Sequence, residues 1–252
     1  MEVSFVTGAA SGIGAAIAAR LALAGPVGLF DRNEAAVEAM AASIRAGGGE
    51  ALPLGGDVTS AADVTRATEA LAARFGRLDV VVANAGVDTY GSLLDAAEAD
   101  WDRVVAVNAK GVFLTARATL PFLLETGKGR FIAVSSDAGL VGCPGFSIYC
   151  ASKHAVVGLV RSMACEFGSR GLRANCVCPA FVETPMSAAF AANSTAAEVE
   201  YWHDAVPLGR FASPDEVAAA VNYLASPAAA YVNGVAYAID GGATLELHRS
   251  AA

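Results

Sequence analysis

Short apolar runs alternate along the chain with longer, Ala-rich stretches in which apolar residues return at helical spacing. Seven runs predict strands: Val3–Thr7, Val27–Asp31, Ala51–Leu54, Leu78–Ala83, Arg130–Ser135, Ala174–Cys178 and Ala236–Ile239. They are nearly continuous in apolar character, as expected of strands covered on both faces. Between them, Ile13–Ala24, Glu34–Arg45, Ala61–Phe75, Trp101–Glu125, Ser152–Gly168 and Pro214–Ala225 predict helices, with Asp63 and Ser213 as first-turn or capping residues. This alternation predicts βαβ units and a doubly wound α/β fold: a seven-stranded parallel sheet with helices on both faces, in one domain over residues 1–252. In such folds the functional loops gather at the carboxyl ends of the strands. The one long irregular insertion, about residues 183–207, follows the sixth strand and reads as a substrate lid.

Composition narrows the options. Of 252 residues, 55% are hydrophobic and 17% charged, which excludes a charge-solvated disordered chain. A formal net charge of −8 argues against nucleic acid, whose phosphates select a basic surface. The run from Val217 to Ile239 carries no Asp, Glu, Lys or Arg, but Asn222, Ser226-Pro227 and Asn233-Gly234 punctuate it as helix, turn and strand rather than a membrane span. Glu2 and the early Gly8, Gly12 and Gly14 do not fit a signal peptide. Five cysteines (Cys143, Cys150, Cys165, Cys176 and Cys178) form no C-x-x-C pair and read as small buried hydrophobes in a reducing, cytoplasmic setting. Cys176 and Cys178 alternate, so on a strand they share a face. His154, His203 and His248 are scattered, and no metal site is expected.

The first strand runs into Thr7-Gly8-Ala9-Ala10-Ser11-Gly12-Ile13-Gly14 and then a helix. Glycines there permit a tight turn and let backbone N–H groups approach a pyrophosphate at the helix N-terminus, which predicts dinucleotide binding through Gly8, Ser11, Gly12, Ile13 and Gly14. Asp31 ends the second strand, where a carboxylate bonds a ribose diol and repels a 2′-phosphate. That favours NAD over NADP, although Arg32 stands beside it; Ser11, in the loop, adds no positive charge that would favour a phosphate. Asp57-Val58 is placed to meet the adenine, or alternatively to cap the next helix, a task open equally to Thr59 or Ser60. Asn84-Ala85-Gly86 ends the fourth strand, either as a passage for the cofactor or as a plain turn.

The most specific feature is Tyr149-x-x-x-Lys153, with Ser136 thirteen residues before the tyrosine. Residues four apart on a helix share a face, so an ammonium can stabilise the phenolate and tune the phenol as an acid/base. Ser136, at a strand end, can hydrogen-bond the reacting oxygen, and Asn108 can interrupt its helix with a water-binding kink.

Taken together, Thr7-Gly8-x-x-x-Gly12-x-Gly14, Asn84-Ala85-Gly86, Asn108, Ser136, Tyr149-x-x-x-Lys153 and Asp240-Gly241-Gly242 resemble the short-chain dehydrogenase/reductase family, in its short single-domain branch. The resemblance covers nearly the whole chain and implies a Rossmann fold. It also implies Tyr149 as acid/base, Lys153 lowering its pKa and holding the nicotinamide ribose, Ser136 polarising the substrate oxygen, and Asn108 reaching Lys153 through a water. Val182 and Thr184 sit where the family contacts the nicotinamide carboxamide, and a homotetramer built through the helices around Asn108 and Tyr149 is implied. One departure stands out: Pro179-Ala180 replaces the usual Pro-Gly, which the backbone tolerates if φ at Ala180 is negative.

The expectation is therefore an NAD(H)-dependent oxidoreductase, an alcohol dehydrogenase or carbonyl reductase acting on a secondary alcohol or ketone. Met186, Phe190, Tyr201 and Trp202 on the lid, with Leu140, Cys143 and Phe146, suggest an apolar substrate. The alternatives are an NADPH-dependent 3-oxoacyl thioester reductase, disfavoured by the acidic charge and Asp31, and a catalytically silent dinucleotide sensor. Enoyl reduction fits less well, because the relatives that perform it space Tyr and Lys further apart.

Overall fold

The computed structural model describes residues 1–245; His248 lies outside them. Seven strands, β1 (Ser4–Thr7), β2 (Val27–Asp31), β3 (Ala51–Gly55), β4 (Val80–Ala83), β5 (Arg130–Val134), β6 (Arg173–Pro179) and β7 (Ala236–Ile239), form one parallel sheet in the order β3-β2-β1-β4-β5-β6-β7. The chain order reverses between β1 and β4, and the crevice above that pair is where ligands of such sheets bind.

The period of two along each strand builds two separate cores. Phe5, Val81, Phe131, Cys176 and Cys178 face one side, against Val64 and Leu71 of α3 (Ala61–Phe75), Val112 and Leu123 of α5 (Gly111–Glu125) and Val156 and Val160 of α6 (Ser147–Phe167). Val6, Val82, Ile132 and Val177 face the other, against Ile17 of α1 (Gly12–Leu21), Val37 of α2 (Glu34–Ala46) and Val217 and Leu224 of α9 (Pro214–Ala225). The cysteine pair on β6 shares one face, as its spacing predicted. All five thiols are free, but only Cys150, Cys176 and Cys178 are buried; Cys143 is half-buried and Cys165 exposed.

Local signals fix the helix ends. Ser60 caps α3, its Oγ accepting from Asp63 N at 3.3 Å, and Gly76 closes it at φ 74°. Ser213 and Glu216 form a reciprocal capping box on α9, with Pro214 in the first turn. The Val217–Ile239 run resolves into α9, a turn and β7, and among the described residues no helix is long and apolar enough to cross a membrane.

Three elements differ from the sequence pattern. The Trp101–Glu125 stretch is two helices, α4 (Glu98–Val105) and α5, joined by a π-helical turn at Ala106–Lys110. Helix α6 begins at Ser147, five residues before the predicted start at Ser152, so Tyr149 and Lys153 both lie inside it. The insertion at about residues 183–207 is not irregular: it holds α7 (Pro185–Ala192), capped by Thr184 and Ser187, and α8 (Ala196–Asp204).

At the opposite edge of the sheet, the fully buried Asp79 carboxylate ties β1 to the entry of β4. It accepts from Val3 N at 2.9 Å and from Arg77 at 2.8 and 2.6 Å. Burial pushes this acid up, but the Arg77 and Val3 hydrogen bonds and the charge of Arg130 outweigh it and hold the group below its ordinary value. Its folded pKa being depressed, the stabilisation is complete above the unfolded value of about 3.9 and is lost as pH falls through the lower folded value. Urea midpoints measured on the way down to about pH 2 should therefore fall, and Asp79→Asn should flatten that acid limb. Parallel acid limbs for the two proteins would remove Asp79 from the account.

Candidate active site

β1 delivers the chain into a turn that passes through left-handed Gly8 (φ 64°) and Gly12 (φ 53°) before α1 begins. The helix lies very close to the loop: a Cβ on Gly14 would stand 2.0 Å from the Gly8 carbonyl oxygen and 2.5 Å from Asn84 Nδ2. Asn84 fastens this loop to β4, donating through Nδ2 to the Thr7 and Gly8 carbonyls at 3.0 and 3.1 Å. Thr7 Oγ1 in turn accepts from Asn84 N and Ala85 N at 3.0 and 3.1 Å. No acidic residue occupies the first turn of α1, and the Ser11 side chain does not cap it. The cradle thus presents free N–H groups and the positive end of a helix dipole, which fits a dinucleotide pyrophosphate.

Asp31 stands at one end of the cleft, with Oδ2 accepting from Ala10 N at 3.1 Å and Oδ1 from Asn33 N at 3.0 Å. The exposed Arg32 lines the same end. Of the two open assignments at Asp57-Val58, the cap belongs to Ser60, while Asp57 and the buried Val58 line the cleft. The cleft, of ≈ 390 Å³, continues past Asn84 and Gly86 to Ser136, Tyr149 and Lys153, with Val182 and Thr184 on its lid side. Every residue expected to bind a cofactor therefore faces one continuous space.

At the far end, Lys153 Nζ donates to the Val134 carbonyl at 3.0 Å and lies 5.4 Å from the centroid of the Tyr149 ring. Ser135 Oγ donates to the Lys153 carbonyl at 3.0 Å, holding α6 against the end of β5. Asn108, predicted for the same site, does not line the cleft. Its amide is fully buried in the π-turn, where Oδ1 accepts from Val87 N at 2.8 Å and Nδ2 donates to Val87 O at 2.8 Å and to Ser152 Oγ at 3.0 Å. Oδ1 of Asn108 and Nζ of Lys153 nonetheless flank the same spot, 3.4 and 3.5 Å from where a Gly86 Cβ would be.

The titration of the pair differs from the simple picture of a lysine acidifying a tyrosine. Burial dominates at Tyr149 and pushes the phenol above its ordinary value; a hydrogen bond with Ser136 opposes this, while Asp137, Asp88 and Cys143 add to it. Burial also pulls Lys153 down to about 8, with Cys178 and Cys176 working the other way. In this state the tyrosine is a protonated phenol, and the lysine is a cation at neutral pH with little margin.

Ala180 is accommodated without strain, because among the described residues no side-chain-bearing residue has positive φ. Of the pocket residues predicted, Cys143, Phe146, Met186, Phe190 and Trp202 line the cleft, while Leu140 and the exposed Tyr201 do not. Two acids that the pattern did not single out, Asp88 and Asp137, line it too. Asp137 carries one signal in the sequence, its place directly after Ser136; Asp88 carries none beyond its position two residues past Gly86. Ser152, the partner of Asn108, was also missed. No group of His, Cys, Asp and Glu among the described residues is arranged to hold a metal.

Nearly the whole chain is similar to known proteins. The family model described as enoyl-(acyl carrier protein) reductase matches residues 8–244. The 2-(S)-hydroxypropyl-CoM dehydrogenase 3 of Xanthobacter autotrophicus is 44% identical over 246 residues, 96% of each chain. A 3-oxoacyl-(acyl-carrier-protein) reductase of Synechocystis is 37% identical over 244 residues, again 96% of each. The crystal structure of levodione reductase superposes with a TM-score of 0.92 at 34% identity, covering 97% of this chain and 98% of the other. Sheet order, glycine cradle and full-length similarity together place this chain in the short-chain dehydrogenase/reductase family of oxidoreductases.

Proposed function

We propose that the protein is an NAD(H)-dependent dehydrogenase that moves a hydride between nicotinamide and a secondary alcohol or its ketone. One observation carries the reading: a single cleft joins the glycine cradle and Asp31 at one end to the buried Ser136 and Lys153 and the half-buried Tyr149 at the other. The bound nicotinamide supplies the hydride acceptor in oxidation and the donor in reduction. In reduction Tyr149, kept protonated by its burial, hands its phenolic proton to the ketone oxygen as that oxygen becomes a hydroxyl. In oxidation Tyr149 Oη takes the hydroxyl proton, and the Lys153 cation below the ring lowers the cost of the phenolate. Ser136 Oγ, which lines the same end of the cleft as Tyr149, steadies the reacting oxygen. Asn108 holds the Val87 backbone and, through Ser152, the first turn of α6, so it supports Lys153 from behind the cleft wall. Gly8, Ser11, Gly12, Ile13 and Gly14 cradle the pyrophosphate, Asp57 and Val58 take the adenine, and Val182 and Thr184 the carboxamide.

The NAD preference rests on Asp31, whose oxygens each keep a lone pair free for a ribose hydroxyl beyond the backbone bonds they already accept. Asp31→Ala should raise the Kd for NADH about a hundredfold while leaving that for NADPH level or lower, since two charge-assisted bonds at the low end of roughly 1.5 kcal/mol apiece are lost. Fluorescence titration with both cofactors reads this directly; a wild-type preference for NADPH would overturn it. The overall reading is tested by nicotinamide absorbance across secondary alcohols and 3-hydroxyacyl thioesters. Turnover confined to thioesters would favour the second reading, a 3-oxoacyl thioester reductase, which the Synechocystis relative and Arg32 in the cleft support.

We assign the assembly to a cytoplasmic homotetramer on the family resemblance, with exposed Trp101 and Phe113 on α4 and α5 as its apolar contacts. The helices α7 and α8 are its substrate lid.

A further inference from the structure

The substrate end of the cleft combines two features that apolar recognition alone does not explain. Its walls are aromatic: Phe146 lies 5.8 Å from Phe190 and 5.9 Å from Trp202, and Phe181 lies 5.2 Å from Trp202. Among the residues lining the cleft, however, the charges near this end are Asp88, Asp137 and the catalytic Lys153, while Arg32 lies at the Asp31 end. Asp137 is the closer acid to the chemistry. Its Oδ1 accepts from Ser136 Oγ at 2.7 Å and from Ala138 N at 2.7 Å, while Oδ2 has no hydrogen-bond partner among the described residues.

We infer that Asp137 is a specificity-determining residue, which selects alcohols bearing a second hydrogen-bond donor, a hydroxyl or a protonated amine, on the carbon next to the reacting carbinol. This assignment rests on the alcohol-oxidising reading above. The argument is geometric. Ser136 marks where the reacting oxygen is held, and the Asp137 carboxylate sits one hydrogen bond from Ser136 Oγ. Oxygen or nitrogen on an adjacent carbon is separated from the carbinol oxygen by about one hydrogen-bond length, so a vicinal donor spans that interval. A carboxylate in a partly desolvated site accepts such a donor strongly and repels an anion there. Burial pushes the Asp137 acid above the usual carboxylate range, the Ser136 and Ala138 bonds opposing and Asp240 adding to it. A donor or cation from the substrate relieves that cost, whereas a carboxylate or phosphate ester deepens it.

The test compares 2-butanol, 2,3-butanediol, 3-amino-2-butanol and 3-hydroxybutyrate, with two readouts: kcat/KM for each, and calorimetric affinity for the NADH-saturated protein. Wild type is expected to favour the diol or the amino alcohol over 2-butanol by at least about tenfold in both readouts, and to reject 3-hydroxybutyrate. The preferred one of the two donors identifies the substrate class. In Asp137→Leu the donor-to-2-butanol ratio should fall by at least about tenfold, and in Asp137→Asn the amino-alcohol preference should fall most. Equal handling of 2-butanol and both donors by wild type would overturn the assignment. So would a uniform loss across all substrates in the variants, which would make Asp137 only an orienting partner of Ser136. If no compound is turned over, the dehydrogenase reading falls, while the affinity ratios still decide the role of Asp137.

Discussion

Tyr149→Phe should lower turnover in both directions by about 10²–10⁴-fold and leave NADH affinity essentially unchanged. The substitution deletes one oxygen and keeps the ring, so the contact with Phe146 at 6.1 Å and the seat of Lys153 below the ring survive. What disappears is the only phenol among the described residues that line the cleft, and the proton it exchanges with the substrate oxygen. Because burial holds that phenol above its ordinary value, the reduction direction runs on its protonated form across neutral pH. Stopped-flow rates of nicotinamide absorbance change, paired with fluorescence titration of NADH, separate the two quantities. Retention of more than a few per cent of the rate would remove Tyr149 from the mechanism, and loss of NADH binding would recast it as a cofactor ligand.

Gly14→Ala should be nearly as damaging, for steric rather than chemical reasons. The added carbon would stand 2.0 Å from the Gly8 carbonyl oxygen and 2.5 Å from Asn84 Nδ2, both fixed parts of the cradle. Relief requires α1 to move away from the loop, which breaks the Asn84 bonds to Thr7 and Gly8. A cost of about 3 kcal/mol is expected, at the upper end of ordinary overpacking. For a chain of this size that corresponds to a Tm lower by on the order of 10 °C, with NADH affinity reduced at least about tenfold. Gly158→Ala is the matched control: it lies in α6, a Cβ there meets nothing within 4 Å, and helix propensity favours the change. Similar melting temperatures for the two variants would show that the cradle has more slack than its distances imply.

How far the sequence was legible follows from where its signals are strong. The strands were readable to within one or two residues because each is a nearly unbroken apolar run, which burial on both faces demands of central ones such as Val80–Ala83. The glycine cradle and the Tyr149/Lys153 pair were readable because their chemistry demands particular residues at particular spacings. The break at Asn108 was readable as a kink, but its form as a π-turn at Ala106–Lys110 was not, since one additional residue in a helical turn leaves the apolar pattern almost intact. The two helices of the insertion after β6 escaped for the opposite reason: α7 buries none of its residues, so no amphipathic period betrays it. Asp137 was overlooked because its meaning depends on a neighbour in space, the open cleft, and not on any motif. The same holds for Ser152, whose partner Asn108 is 44 residues distant.

The way Asp31 is held has a consequence for how cofactor choice can change. Its carboxylate does not merely project from the end of β2: one oxygen is bonded to Ala10 N inside the glycine loop and the other to Asn33 N at the start of α2. The residue proposed to discriminate between two cofactors is thus also a rivet joining the loop that grips them to the strand beside it. A substitution that relaxes discrimination also removes this fastening, so part of what NADPH gains from the lifted repulsion is lost to a looser loop. Preference at this position is therefore buffered against drift by single steps, and a productive switch needs a companion change in the loop that restores the lost fastening.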